Sequence, residues 1–156
     1  MAELKARLQA DLTAAIRGRE STRMASLRMA LTAVTTEEVA GDVARELSDA
    51  EVLKVLAREV KKRKEAAEAF AGAGRAERAQ AEQDEAAVLT DYLPKQLTDA
   101  ELESLVVEAV AEVTEELGAA PGQRQMGQVM KAANAKVAGR AEGGRVAVSV
   151  RAKLQG

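Results

Sequence analysis

The sequence predicts an all-α protein, and three observations support that prediction. Alanine, the strongest helix former, supplies much of the apolar content of 47%. Aromatic side chains, which favour strands, are limited to Phe70 and Tyr92. Apolar residues recur at spacings of three and four, which places them on one side of a helix. Leucine, valine, alanine and methionine must therefore form the core between packed helices.

The first half of the chain contains four predicted helices. The first runs from about Glu3 to Arg19, and the second starts at a cap provided by Ser21 or Thr22 and ends near Val39. The third opens with the capping box of residues 48–51 and ends near residue 70. The fourth, over about residues 75–92, is rich in alanine and acids, so its first half should be partly exposed.

The segment Tyr92-Leu93-Pro94-Lys95-Gln96-Leu97 marks a change of direction. Pro94 lacks a backbone N–H and disfavours helical geometry at Leu93, and Thr98-Asp99-Ala100-Glu101 is a second capping box. The end of one helix, followed within a few residues by the start of the next, predicts two helical domains, over residues 1–94 and 95–156. Tyr92, Leu93 and Leu97 are then a buried joint between them; an ordinary turn within one domain is the alternative.

Three more helices are predicted after this boundary. The fifth has the most regular apolar period in the chain, from Leu102 to Leu117, and Gly118 occupies the expected C′ position. The sixth runs from about Gln125 to Val137. The last segment, residues 145–154, has valines that alternate as in a strand, but a single strand would have no partner, so we predict a helix.

Composition excludes several classes of function. The chain has no cysteine and no histidine, and therefore no disulfide, thiolate zinc site, cysteine nucleophile, Ser-His-Asp triad or imidazole ligand. It has no apolar run long enough to span a membrane, no signal-peptide pattern at its N-terminus and no glycine-rich nucleotide-binding motif. We expect a soluble, cytoplasmic protein with no catalytic residues, no cofactor, no bound metal and no membrane partner.

The charges are segregated along the chain, although the net charge is only −2. Residues 76–117 carry 2 basic and 12 acidic side chains, whereas residues 118–156 carry 7 basic side chains and one acid, Glu142. The seven basic residues are the candidate RNA-binding residues: Arg124, Lys131, Lys136, Arg140, Arg145, Arg151 and Lys153.

This basic segment predicts binding to the phosphates of folded RNA. Phosphate oxygens accept hydrogen bonds from such side chains, and Gly143 and Gly144 would allow close approach to the free N–H groups of the last helix. The segment has no aromatic side chain on which an unpaired base could stack, so the RNA should be folded or double-stranded. The alternative is a basic surface that complements the acidic middle segment or a protein partner.

Two other basic groups are interpreted more conservatively. Arg23 and Arg28 flank the apolar stripe of the second helix and are interpreted as surface residues rather than as a ligand site. The run Lys61-Lys62-Arg63-Lys64 points in four directions around a helix, which favours a solvated face near acidic neighbours. A contribution to RNA-phosphate binding is the alternative for this run.

Three segments carry a resemblance to a known family: Tyr92-Leu93-Pro94-Lys95-Gln96-Leu97, Met126-Gly127-Gln128-Val129-Met130 and Lys136-Val137-Ala138-Gly139-Arg140-Ala141-Glu142-Gly143. In this order they resemble the YqeY family, which is similar to the C-terminal tail of GatB, the B subunit of the tRNA-dependent amidotransferase. Leu27-Arg28-Met29 and the run at residues 61–64 also resemble it. The resemblance covers nearly the whole chain and implies a bundle of about four helices followed by a three-helix, GatB-tail-like domain.

The resemblance also implies a function. In the amidotransferase this tail engages tRNA, while the catalytic chemistry belongs to other parts of the enzyme. We therefore expect a non-catalytic accessory protein that binds tRNA or other structured RNA through its C-terminal domain. A protein-interaction adaptor that docks through the acidic helices four and five is the alternative. A carbon–nitrogen ligase activity with glutamine as amido donor is the third possibility. The chain departs from the family pattern at Ala135, where proline is common, so helix six could run further.

Overall fold

The computed structural model describes residues 1–155, which form seven α-helices and no strand. The helices are α1 (Glu3–Gly18), α2 (Ser21–Glu38), α3 (Asp49–Gly72), α4 (Ala76–Thr90), α5 (Asp99–Leu117), α6 (Met126–Val137) and α7 (Gly143–Gln155), with a 3-10 turn (Gln123–Gln125) before α6. The all-α prediction is confirmed, including the helix at the C-terminus. Within residues 1–155, no helix is both long and apolar enough to cross a membrane.

The chain divides into two compact units, residues 1–93 and the residues from Pro94 onward. The first unit contains α1 to α4, and α2 contacts each of the other three helices. In the second unit α5, α6 and α7 contact one another pairwise.

The first unit has an aliphatic core to which the end of α4 also contributes. Leu8, Leu27 and Leu56 are fully buried in it. Tyr92 is only 7% exposed and belongs to this core, with Leu93 packed against it, whereas Leu97 belongs to the core of the second unit. Each residue of the predicted joint is therefore part of the core of its own unit.

The second unit is held together by valines that face one another from three helices. Val106 of α5 and Val129 of α6 are fully buried. Val146 and Val150 of α7 are also fully buried, while Val148 between them is 64% exposed. Buried residues four positions apart are the pattern of a helix, which explains why the alternating valines do not form a strand.

The two predicted capping boxes are present. Ser48 Oγ accepts a hydrogen bond from Glu51 N at 3.2 Å, and Thr98 Oγ1 accepts one from Glu101 N at 3.2 Å; in both boxes the glutamate carboxylate accepts from the N–H of the cap residue. Gly118 ends α5 in the left-handed conformation, with φ 73°, as expected.

One expectation about helix ends is wrong. Ser21 is already helical and Glu20 precedes α2 without a side-chain cap, because only Arg19 and Glu20 separate the end of α1 at Gly18 from the start of α2. α6 ends at Val137, as predicted, and does not run further despite Ala135, because the chain turns there through left-handed residues at Ala138 and Gly139.

Candidate nucleic-acid interface

The seven basic residues proposed to bind RNA all lie in the second unit. They are distributed as Arg124 in the 3-10 turn, Lys131 and Lys136 on α6, Arg140 in the turn after α6, and Arg145, Arg151 and Lys153 on α7. Their side chains have three different surroundings.

Arg140 is used to end α6. Its guanidinium donates hydrogen bonds to the carbonyl oxygens of Lys136 at 2.8 Å and Val137 at 2.9 Å. The last carbonyls of a helix have no partner within the helix, and a basic side chain that reaches them stabilises the helix end. The guanidinium is therefore partly engaged by the chain itself, which leaves fewer of its N–H groups for a phosphate.

Arg145 connects the start of α7 to the start of α5. Its Nη2 donates to the backbone carbonyl of Leu97 at 3.0 Å and to Asp99 Oδ1 at 2.9 Å. The side chain is about one-third exposed. A guanidinium that donates to a backbone carbonyl in this way stabilises the local structure.

Lys136 and Lys153 form ion pairs with the acidic helix α5. Lys136 Nζ lies 3.3 Å from the Glu112 carboxylate and 4.0 Å from that of Glu108, and Lys153 Nζ lies 2.9 Å from Glu103. The three carboxylates are more than half exposed. Exposed pairs contribute at most about 1 kcal/mol, so a phosphate could replace either carboxylate at little cost.

Arg124, Lys131 and Arg151 are exposed and make no hydrogen bond or ion pair with residues 1–155. They remain as the available cations of the predicted surface. Residues 94–156 contain 8 basic and 8 acidic side chains, so α5 offsets the basic charge that the sequence places after residue 117.

The glycine turn before α7 differs from the expected phosphate cradle. Gly143 and Gly144 form the first turn of α7, which begins two residues before the predicted start at residue 145. However, Oε1 of Glu142 lies 3.6 Å from the position that a Cβ would take on Gly144. A carboxylate of the chain itself is therefore close to the helix N-terminus, where an external anion was expected.

Arg63 is the residue that sequence reasoning placed least well. It was interpreted as part of a solvated basic face, but its side chain is only 13% exposed. Its Nη2 donates to Glu59 Oε2 at 3.0 Å, and its Nε lies 3.6 Å from Glu85 and 3.8 Å from Glu82. The spacing of four between residues 59 and 63 was the available signal for this contact.

The carboxylates around Arg63 belong to α3 and α4. Glu59 is 7% exposed, and Oε2 of Glu82 is buried with no hydrogen-bond partner in the described part of the chain. Burial, with the nearby Glu82 carboxylate as a smaller contribution, raises the pKa of Glu85, and Arg63 opposes that shift. The cluster stabilises the packing of α3 on α4 rather than forming an exposed basic surface.

Arg23 is likewise more than a surface residue. Its Nη2 donates to the hydroxyl of Tyr92 at 3.2 Å and lies 3.7 Å from Oδ2 of Asp11. The Tyr92 hydroxyl in turn donates a short hydrogen bond to Asp11. These three residues link α1, α2 and the end of α4 within the first unit.

The fold defines an all-α protein of two helical units. In the C-terminal unit, some basic side chains form ion pairs with α5 and others have no ion-pair partner among residues 1–155. Within residues 1–155 no cluster of three or more carboxylates is arranged to hold a metal ion. The family model described as Yqey-like protein matches residues 5–154, so the chain belongs to the YqeY-like family. None of the curated proteins matches the chain.

Proposed function

We propose that the protein is a non-catalytic accessory protein that binds tRNA or another structured RNA through its second unit. The observation that carries the proposal is the set of three exposed cations that have no ion-pair partner among residues 1–155, Arg124, Lys131 and Arg151. They belong to a segment with a single acid, residues 118–156. The resemblance of this part of the chain to the GatB tail, which engages tRNA, gives further support.

The other four basic residues have secondary roles in this proposal. Lys136 and Lys153 contribute by exchanging exposed carboxylates for phosphates. Arg140 and Arg145 shape the surface, because their guanidinium groups bind backbone carbonyls. The expected affinity is modest, since few cations are available and the unit as a whole is neutral.

A salt titration of tRNA binding, followed by fluorescence anisotropy, tests the proposal. About three phosphate contacts should give a slope of about −2 to −3 in log K against log salt concentration. The triple variant R124Q/K131Q/R151Q should bind at least about tenfold more weakly at low salt, and its slope should be clearly shallower, with only the contribution of Lys136 and Lys153 remaining.

The chain offers a matched control for charge. Arg17, Arg19 and Lys54 are exposed in the first unit and have no described partner either. The variant R17Q/R19Q/K54Q therefore removes the same charge from a different surface, and it should bind tRNA as the wild type does. Equal losses in the two triple variants, or no loss in R124Q/K131Q/R151Q, would contradict the proposal.

A protein-interaction role is the second candidate, and one observation favours it. Val107, Ala111 and Glu115 are exposed at spacings of four along α5, which is a face suited to docking. The neighbouring acids Glu108 and Glu112 are paired with lysine, so the acidic helix is less available than its sequence implies. Recovery of a basic protein from RNase-treated extract by the wild type, lost in V107D/E115K, would support this candidate; recovery of RNA alone would oppose it.

A further inference from the structure

A groove of about 470 Å³ runs between α2 and α3 in the first unit. Side chains cross it at two places: Arg63 Nη2 lies 3.5 Å from the Met29 sulfur, and Arg58 Nη2 lies 3.1 Å from Glu37 Oε2. These contacts show that the two helices run antiparallel. Eight residues separate the two crossings on α2, so the groove between them is about 12 Å long.

The groove is lined by both apolar side chains and threonine side chains. Met29, Ala33 and Val55 provide apolar surface, and Thr32 and Thr36 of α2 also line the groove. Both hydroxyls donate to backbone carbonyls of their own helix, so their oxygen atoms remain able only to accept. The volume lies in the range of small-molecule sites, and the two crossings leave too little length for a helix to lie along the groove.

Two basic side chains, one from each wall, line the same end of the groove. Because Met29 lies opposite Arg63, Arg28 on α2 and Lys62 on α3 are at the same end. Arg28 is exposed and has no ion-pair partner among residues 1–155, and Lys62, 66% exposed, makes one contact of 3.3 Å with Glu59. Two like charges that face one space favour an anion between them.

The groove also brings together two stretches that the RNA-binding proposal does not use. Leu27-Arg28-Met29 and the run at residues 61–64 lie far apart in sequence, and both contribute side chains to this groove. Arg28 is exposed, as the sequence predicts, and it lies beside an apolar cleft.

We propose that this groove binds a small amphiphilic anion: a carboxylate or phosphate group on an apolar body no longer than about 12 Å. The anionic group is held between Arg28 and Lys62, and the apolar body lies against Met29 and Val55. The matching of one cationic end to one apolar wall selects this class of ligand over a bare inorganic anion and over an uncharged apolar molecule.

Titration with 8-anilinonaphthalene sulfonate, an amphiphilic fluorescent anion, tests the proposal on the full chain. We expect saturable binding to one site, with displacement by octyl phosphate and by octanoate. Displacement by octyl phosphate alone identifies a phosphate-selective site, and displacement by both identifies a general anionic head group. Inorganic phosphate that competes as well as octyl phosphate would overturn the role of the apolar wall.

Two further measurements locate the site. The variant R28Q/K62Q should bind the probe about tenfold more weakly, whereas R19Q/K54Q, which removes the same charge from exposed positions outside the groove, should bind it as the wild type does. In methionine-methyl NMR spectra the probe should shift the signal of Met29. Equal affinity in the two double variants, or an unshifted Met29 signal on saturation with the probe, would overturn the proposal.

Discussion

Leu97 and Arg145, 48 positions apart, are joined by a hydrogen bond of 3.0 Å from the guanidinium to the backbone carbonyl. The backbone N–H of Leu97 donates to the carbonyl oxygen of Arg140 at 2.7 Å. Both backbone polar groups of Leu97 are thus satisfied by the segment that leads into α7, while its side chain is buried in the core of the second unit. A residue of the chain's central motif is therefore positioned by its C-terminal basic segment.

This relationship predicts that Arg145 contributes to stability more than its exposure implies. The variant R145M leaves the Leu97 carbonyl without its side-chain donor, and we expect a loss of about 1–2 kcal/mol in the unfolding free energy of the second unit. Hydrogen exchange in peptides from residues 94–155 measures that loss. R151M is the matched control, because Arg151 is exposed and has no described partner, and it should change stability by less than about 0.5 kcal/mol. Equal exchange in the two variants would contradict the structural role.

The Arg63 cluster predicts a larger effect in the first unit. R63M leaves the buried carboxylate of Glu59 with only the contact from Lys62, and we expect a loss of about 3 kcal/mol, measured by urea unfolding followed by circular dichroism. The double variant E59Q/R63M removes the buried charge together with its partner, so it should recover a substantial part of the loss.

K64M is the control for this experiment, because Lys64 is an exposed member of the same basic run. It should leave the unfolding free energy within about 0.5 kcal/mol of the wild type. If the R63M protein is no less stable than the K64M protein, the run at residues 61–64 is a solvated face, as the sequence predicts.

Most of the fold could be predicted from the sequence because it depends on local patterns. The capping boxes at Ser48 and Thr98 and the glycine at residue 118 involve residues within one turn of each other, and all three predictions are confirmed. Helical content could be inferred even for the last segment, because a single strand would have left backbone groups unpaired.

The candidate site was predicted less well because charge pairing depends on which helices are neighbours. The sequence shows seven cations and one acid after residue 117, but it does not show that α5 places Glu103 and Glu112 beside Lys153 and Lys136. In the same way, a run of four basic residues gives no sign that one of them, Arg63, is largely shielded from solvent beside carboxylates of α4. RNA binding by this segment stays a prediction.

The two capping boxes allow an internally controlled prediction about pH. The hydrogen bond from Arg45, followed by that from the Ser48 backbone, lowers the pKa of Glu51 from 4.5 to about 2. Because the pKa is lowered in the folded state, this stabilisation is complete above pH 4.5 and is lost as the pH falls toward 2. In R45Q the carboxylate of Glu51 should titrate closer to 4.5, as followed by NMR of the side-chain carboxyl carbon.

The control residue in the same sample is Glu101 of the second box. Its pKa is lowered mainly by hydrogen bonds within the box from Thr98, without an arginine hydrogen bond. R45Q should leave the titration of Glu101 unchanged. A Glu51 titration that is unaffected by R45Q would show that the capping box alone sets its pKa.

The raised pKa of the Tyr92 hydroxyl predicts a measurable loss of stability at high pH. Burial, followed by its hydrogen bond to Asp11, raises the pKa of Tyr92 from 10.0 to about 12. The guanidinium groups of Arg23 and of Arg7, which lies 4.7 Å from the ring centre, oppose that shift only in part. A raised pKa means that the folded state retains the tyrosine proton up to a higher pH than the unfolded state does. The stabilisation is therefore complete below pH 10 and is lost as the pH rises toward 12.

Tyr92 is the only tyrosine and the chain has no tryptophan, so the near-ultraviolet absorbance of tyrosinate reports this residue alone. We expect a midpoint of about 12 in the folded protein and about 10.0 in denaturant. Y92F should weaken the decline in unfolding free energy between these pH values, and it should cost about 1–2 kcal/mol at neutral pH because Asp11 and Arg23 lose a shared partner. In D11N the folded midpoint should move toward 10.0, because the hydroxyl then faces a neutral amide in place of a carboxylate. A folded midpoint near 10.0 in the wild type would mean that the Tyr92 hydroxyl is solvated, and the link from α1 and α2 to the end of α4 would then have to come from apolar packing alone.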